Sequence, residues 1–200
     1  MRYVPNTIVV IFCAVLTACA SAPREKFYVL SVSVPLERAQ TVVSMPNIRI
    51  MVGPVTIIEL VDRPQIVTHS APNQVTILEQ ERWAESLKTQ IPRVVAENLA
   101  ALLGTHRVST YAQSGVSDAD YRVTLEVQRF ESRLNEEITI EVLWAIHRNV
   151  DEKPTNGHSL IREPAASPGY DGLVTAHSHV LGTISQDIAE AIRAASIAAR

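Results

Sequence analysis

Cysteine is nearly missing. The 200 residues hold two, Cys13 and Cys19, too few for a disulfide-stapled fold. Long apolar runs are missing too: the stretch Ile8 to Ala18 falls short of the ~20 residues a membrane-spanning helix needs. There is no excess of positive charge. The formal net charge is −3 with acidic and basic residues intermixed, which leaves no basic face for nucleic acid. No G-x-S-x-G elbow, P-loop or G-x-G-x-x-G occurs, so the usual signatures of hydrolases and nucleotide binders are absent. No internal repeat or low-complexity tract interrupts the chain. A hydrophobic content of 46%, rich in β-branched residues, argues for a folded domain over a disordered one.

The short apolar run has a different use. Arg2 and the α-amino group precede it as a positive n-region, and Ile8 to Ala18 has the length of an h-region. Leu16-Thr17-Ala18-Cys19 follows, an aliphatic residue, two small ones and cysteine, the pattern of a bacterial lipobox. There the thiol is diacylated, the peptide is cut before the cysteine, and the freed amine is acylated. Each buried methylene contributes about 0.8 kcal/mol and two chains already anchor stably, so three fix a protein to its membrane. An ordinary secretory signal is the alternative, because Ala18-Cys19-Ala20 also fits an A-x-A cleavage site. On the lipobox reading Cys13 leaves with the leader and Cys19 becomes a thioether, which removes disulfide, thiol and thiolate-metal chemistry from the mature chain. Position 20 is Ala rather than Asp, which in a Gram-negative cell directs a lipoprotein to the outer membrane. The expected organisation is a leader over residues 1–18, a lipidated N-terminus and tether over 19–26, and one globular domain over 27–200. The tether from Ala20 to Lys26 reaches at most about 25 Å at ~3.5 Å per residue.

The domain alternates strand-like and helix-like stretches. Phe27 to Val34 reads as a strand, Leu36 to Ser44 as a loop, and Ile48 to Val52 as a strand stopped by a turn at Gly53-Pro54. Val55 to Leu60 leads into Asp62-Arg63-Pro64, and Gln65 to His69 with Gln74 to Leu78 reads as a hairpin around Ser70 to Asn73. Trp83, Leu87, Ile91, Val94, Asn98 and Leu102 recur at helical spacing, with Gly104 as a C-cap and Pro92 as a predicted kink. Tyr121 to Phe130 and Ile138 to His147 alternate strictly and are expected to form an antiparallel hairpin across Glu131 to Glu137. Asn149 to Gly157 reads as a polar turn, and Leu160-Ile161 as a short strand before Pro164. Leu173 to Ala195 carries a second apolar stripe, with Asp171 as its cap. The predicted fold class is α+β: a two-layer sandwich in which two amphipathic helices pack on one face of a largely antiparallel mixed sheet.

Candidate chemistry resolves mostly into packing. His177 and His179 lie two apart, about 200° around a helix, so one ion cannot take both; His177 falls on the apolar stripe. The remaining histidines are scattered. Glu79 with Glu81 and Glu136 with Glu137 fall where solvated charge is the ordinary state. Trp83 and Trp144 are in phase with apolar stripes, which favours core packing over a ligand cage. The segment Leu60 to Val67 differs, setting Asp62 and Arg63 beside the rigid Pro64 among apolar residues. It reads either as a loop with a local ion pair or as a partner-binding or self-association surface formed by Leu60, Asp62, Arg63 and Pro64. No metal, cofactor or catalytic group is expected; the one covalent addition is lipid on Cys19.

Several segments together resemble the PqiC (YmbA) family of ABC-type transport auxiliary lipoproteins. They are the lipobox, Phe27-Tyr28-Val29-Leu30, Val52-Gly53-Pro54-Val55, Leu60 to Val67, Arg82 to Leu87, Asp120 to Val123, Arg129-Phe130 and Leu181 to Ala189. The resemblance implies a non-enzymatic outer-membrane lipoprotein that docks on or caps an MCE-domain tunnel protein carrying lipid between membranes. An inner-membrane permease or ABC components complete the implied partners, and a homo-oligomer is compatible with it. The family supplies no catalytic residues to carry over. The competing expectation is a structural or assembly lipoprotein of another envelope complex that handles no lipid.

Overall fold

The computed structural model describes residues 24–34, 44–111, 118–149 and 153–198; the leader, Cys19 and nearly all of the expected loop from Leu36 to Ser44 lie outside them. In chain order the elements are β1 (Lys26–Tyr28), β2 (Ile50–Ile57), β3 (Gln65–Ala71), β4 (Gln74–Trp83), α1 (Leu87–Leu103), β5 (Val108–Thr110), β6 (Tyr121–Ser132), β7 (Glu137–Arg148), β8 (Thr155–Pro164) and α2 (Gly169–Ala198).

Strict alternation builds the centre. In β7, Ile138, Ile140, Val142, Trp144 and Ile146 are all buried on one face. In β6, Tyr121, Val123, Leu125 and Val127 join them, and the two strands pair antiparallel as expected. The buried phase then jumps to Phe130 and Ser132, because the ladder skips a residue between Val127 and Arg129. A bulge at this point moves the following side chains to the other face. Five strands run in the order β5-β2-β6-β7-β8, with β2 parallel to both β5 and β6. Both helices pack on this sheet and on each other, so the α+β class holds. A second sheet, β1-β4-β3, was not expected and lies beside the first.

Six sequence expectations change. Gly53-Pro54 does not end a strand: its peptide is cis, Gly53 has φ 116°, and β2 continues to Ile57 with a register shift between Val52 and Val55. A positive φ that glycine tolerates allows a bulge where a turn was read. Trp83 ends β4 rather than opening α1, which starts at Leu87 after Ser86. Strand β8 is longer than expected, taking in Thr155 to Gly157 from the supposed turn. Helix α2 begins at Gly169, so Asp171 lies inside its first turn, where a carboxylate favours the positive helix end. The hairpin of β3 and β4 keeps its turn near Pro72-Asn73 but has longer arms.

The sixth change is the most informative. Of Phe27 to Val34 only Lys26–Tyr28 joins a ladder, pairing parallel with Glu81 to Trp83. Beyond Tyr28 the chain becomes a strap across the helix layer, and helix side chains take the place of a neighbouring strand. The amide of Leu30 donates to Gln90 Oε1 at 2.7 Å, that of Ser31 to Ser178 Oγ at 3.2 Å, and that of Ser33 to Asn98 Oδ1 at 3.1 Å. Gln90 and Asn98 are fully buried, and their own amide groups donate to Glu85 O at 2.7 Å and Ser185 Oγ at 3.4 Å. Buried backbone donors must find partners, and two polar residues on the inner stripe of α1 supply them. Gly182 admits the strap: a Cβ there would lie 1.9 Å from the Ser33 carbonyl oxygen. Gly104 caps α1 in the left-handed conformation, as expected.

Candidate functional site

The segment from Ile58 to Pro64 is shaped by its own backbone. Val61 N–H donates to Ile58 O and Asp62 N–H to Glu59 O, both at 3.2 Å, closing a 3-10 turn over Glu59–Val61. Val61 is buried and fixes the turn to the core, whereas Leu60 stays 36% exposed. Pro64 then accepts from Trp83 N–H at 2.7 Å, and Gln65 enters β3 opposite Arg82.

The ion pair expected within this loop goes elsewhere. Asp62 Oδ2 receives Lys88 Nζ at 2.5 Å, from the first turn of α1. A lysine is unfavourable at a positive helix end, and a carboxylate there is favourable; Asp62 answers both. Arg63 Nε is buried and has no hydrogen-bond partner among the described residues. Lys88 also borders a cleft of about 200 Å³ with Val52, Pro54, Pro92 and Tyr111. Tyr111 is 57% exposed, and its amide is held on Val52 O at 2.8 Å. One corner of the molecule, the N-terminal end of α1, thus gathers Val52–Val55, Leu60–Val67 and Arg82–Leu87. Tyr28 is there too, since its carbonyl accepts from Ala84 N–H at 2.9 Å. Leu60, Asp62 and Pro64 face outward on this corner. Sequence reading found the loop but missed Lys88, which reaches it from a segment remote in the chain, and Tyr111, which shares a cleft with Lys88. The buried phase of Gln90 and Asn98 on an otherwise apolar stripe was the signal available for the strap.

Of the other candidates, the two tryptophans are core. Trp83 is buried, with its ring edge-on to Phe130 and to His177 at centroid distances of 6.4 and 6.0 Å. Trp144 Nε1 donates to Ser159 Oγ at 3.0 Å, and Ser159 donates on to Asp187 Oδ2 at 2.6 Å. Glu81 accepts the Tyr28 hydroxyl and pairs with Lys26 at 3.3 Å. His179 turns outward to Glu163 Oε1 at 2.8 Å.

His177 has no exposed surface and stacks on Phe130 at 4.5 Å. Its Nδ1 lies 2.8 Å from Leu173 O; a carbonyl only accepts, so Nδ1 carries the proton. Nε2 therefore accepts from Ser132 Oγ at 3.1 Å. Burial away from water disfavours the imidazolium and lowers the pKa from 6.5 to about 4. The unfolded chain binds a proton below pH 6.5 that the folded one refuses, so His177 makes stability fall as pH drops from 6.5 towards 4. At about 1.4 kcal/mol per pH unit the loss reaches about 3 kcal/mol. Urea midpoints for the native protein should fall across this window, and those of His177→Phe should fall less. Parallel pH profiles would contradict the neutral, buried imidazole.

No helix of the described residues is long and apolar enough to cross a membrane. A family model described as ABC-type transport auxiliary lipoprotein component matches residues 28–189. Among solved structures, an uncharacterized protein aligns at TM-score 0.69 and 18% identity, over 85% of this chain and 99% of its own. A Xanthomonas campestris protein of the DUF330 family aligns at TM-score 0.62 and 16% identity, over 82% and 92%. At such identities the likeness is one of fold. No significant match occurs among curated protein sequences.

Proposed function

Because the chain belongs to the family of ABC-type transport auxiliary lipoprotein components, we propose that it is a non-enzymatic docking subunit of an MCE-type intermembrane lipid-transport assembly. It is held on the periplasmic face of the outer membrane by lipid on Cys19, and it docks on or caps the tunnel there. The observation that carries this reading is the corner at the N-terminal end of α1. The ion pair of Asp62 with Lys88, the exposed Leu60 and Tyr111 and the cleft beside Pro54 combine charge, apolar rim and rigid backbone, the composition of an interface patch. The tether enters at the same corner, through β1 beside Trp83. With about 25 Å of extended tether at most, the patch works close to the membrane surface.

Crosslinking in intact cells, followed by purification through a tag on this protein, tests the assignment. Recovery of an MCE-domain protein together with an inner-membrane permease or ATPase is expected. Recovery of an envelope complex lacking MCE-domain proteins would replace lipid transport with a structural role.

A further inference from the structure

Three apolar side chains stand in water along the segment that leaves the tether. Phe27 is 60% exposed, Val29 50% and Val32 45%, while Tyr28 and Leu30 between them are buried at 9% and 0%. Extended chain places alternate side chains on opposite sides, so Phe27 and Val29 point away from the core that Tyr28 and Leu30 enter. Val32 is the third exposed apolar side chain, on the strap beyond the end of the ladder.

This row is not free to move. β1 is paired to β4, and the amides of Leu30, Ser31 and Ser33 are held by Gln90, Ser178 and Asn98. The close approach of Ser33 to Gly182 locks the strap onto α2. Three apolar groups on a fixed segment thus lack a cover among the described residues.

We infer that Phe27, Val29 and Val32 form a bilayer-contacting edge that seats the helix layer of the domain on the phospholipid surface. The inference rests on Cys19 being the anchor, and the intervening length selects the occupant. Phe27 lies eight positions beyond Cys19, at most about 28 Å of extended chain at ~3.5 Å per residue, so acyl chains inserted at Cys19 keep this row beside the bilayer. Apolar side chains of an anchored protein gain by entering the interface, to a depth of about 5–10 Å. Charge contributes little. Lys26 is paired with Glu81 and Arg82 with Glu25, so contact should resist added salt. The domain then has a fixed orientation: helix layer towards the membrane, and the sheet face bearing Leu160, 48% exposed, away from it.

A single-cysteine experiment tests this on the full lipidated protein. On the lipobox reading the mature chain has no free thiol, so Val29→Cys, Val32→Cys and Leu160→Cys each accept one environment-sensitive fluorophore. The labelled proteins are reconstituted in phosphatidylethanolamine–phosphatidylglycerol vesicles with and without headgroup-proximal brominated lipid. The expected result is blue-shifted emission and loss of fluorescence to bromine at positions 29 and 32, unchanged by salt, with neither effect at position 160. Labels at 29 and 32 that escape quenching, whether in water or under a protein cover, would overturn the proposal if the mass of the N-terminus shows triacylated Cys19. An unacylated N-terminus overturns the anchoring reading, and this one with it.

Discussion

Replacing Cys19 by serine is expected to abolish both processing and membrane retention. A hydroxyl cannot form the thioether that the maturation pathway requires, so the leader Met1 to Ala18 stays attached and no acyl chain is added. The loss is large, because each buried methylene contributes about 0.8 kcal/mol and three chains carry dozens of them. Mass spectrometry of the native protein should give an N-terminal triacylated cysteine, and fractionation should find it with the outer membrane. A mature N-terminus at Ser21 would instead mark cleavage after Ala20 as an ordinary secretory signal, and the anchoring account would fail.

The second large effect is expected at the centre of the sheet. Ile140 is fully buried, opposite Phe130 on β6 and Ile161 on β8. Ile140→Asp would bury a carboxylate with no partner, at a cost of several kcal/mol against a total stability of about 5–15. Glu141, its neighbour, points to the other face, where it meets Arg129 at 3.4 Å and His158 at 2.9 Å. Breaking such rim pairs costs about 0–1 kcal/mol, so Glu141→Gln should melt close to the native protein. Equal losses at the two positions in thermal melts would mean that the strand phase is wrong.

Much of the centre was legible because β6 and β7 each bury one face, and a half-buried strand writes its geometry into every second residue. The bulge between Val127 and Arg129 left no such mark, since Gln128 and Arg129 are ordinary polar residues. At Gly53-Pro54 a local rule misled: the dipeptide signals a turn in isolation, and here it bends a strand held on both sides by parallel neighbours. Phe27 to Val34 misled for a related reason. Alternation reports an extended chain with one face buried, and a strap pinned by side chains alternates as a strand does. Of the proposed docking corner, Leu60 to Pro64 was legible from its unusual mixture of charge, apolar residues and proline. Its partner Lys88, 26 positions away by the hydrogen bond it makes, was not, because only the tertiary fold places the start of α1 beside the loop. His177 was correctly assigned to the core from its stripe; its tautomer required the positions of Leu173 and Ser132.

The central claim is that the loop from Leu60 to Pro64 engages a partner rather than merely turning the chain. Asp62→Lys together with Arg63→Glu reverses its charges. The Asp62–Lys88 pair is at the surface, with side chains 30% and 50% exposed, so its loss should cost no more than about 1 kcal/mol of stability and leave lipidation intact. Capture of the MCE-domain partner, or self-assembly, should weaken at least about tenfold, which corresponds to about 1.4 kcal/mol. The direct measurement is quantitative pull-down and sedimentation of the lipidated protein in detergent, native against double variant, with melting curves alongside. A tenfold loss of partner or self-association, with the melting temperature lowered by no more than a few degrees, is the result predicted. Unchanged partner recovery and unchanged assembly would reduce the motif to local turn structure and contradict the assignment of the docking corner.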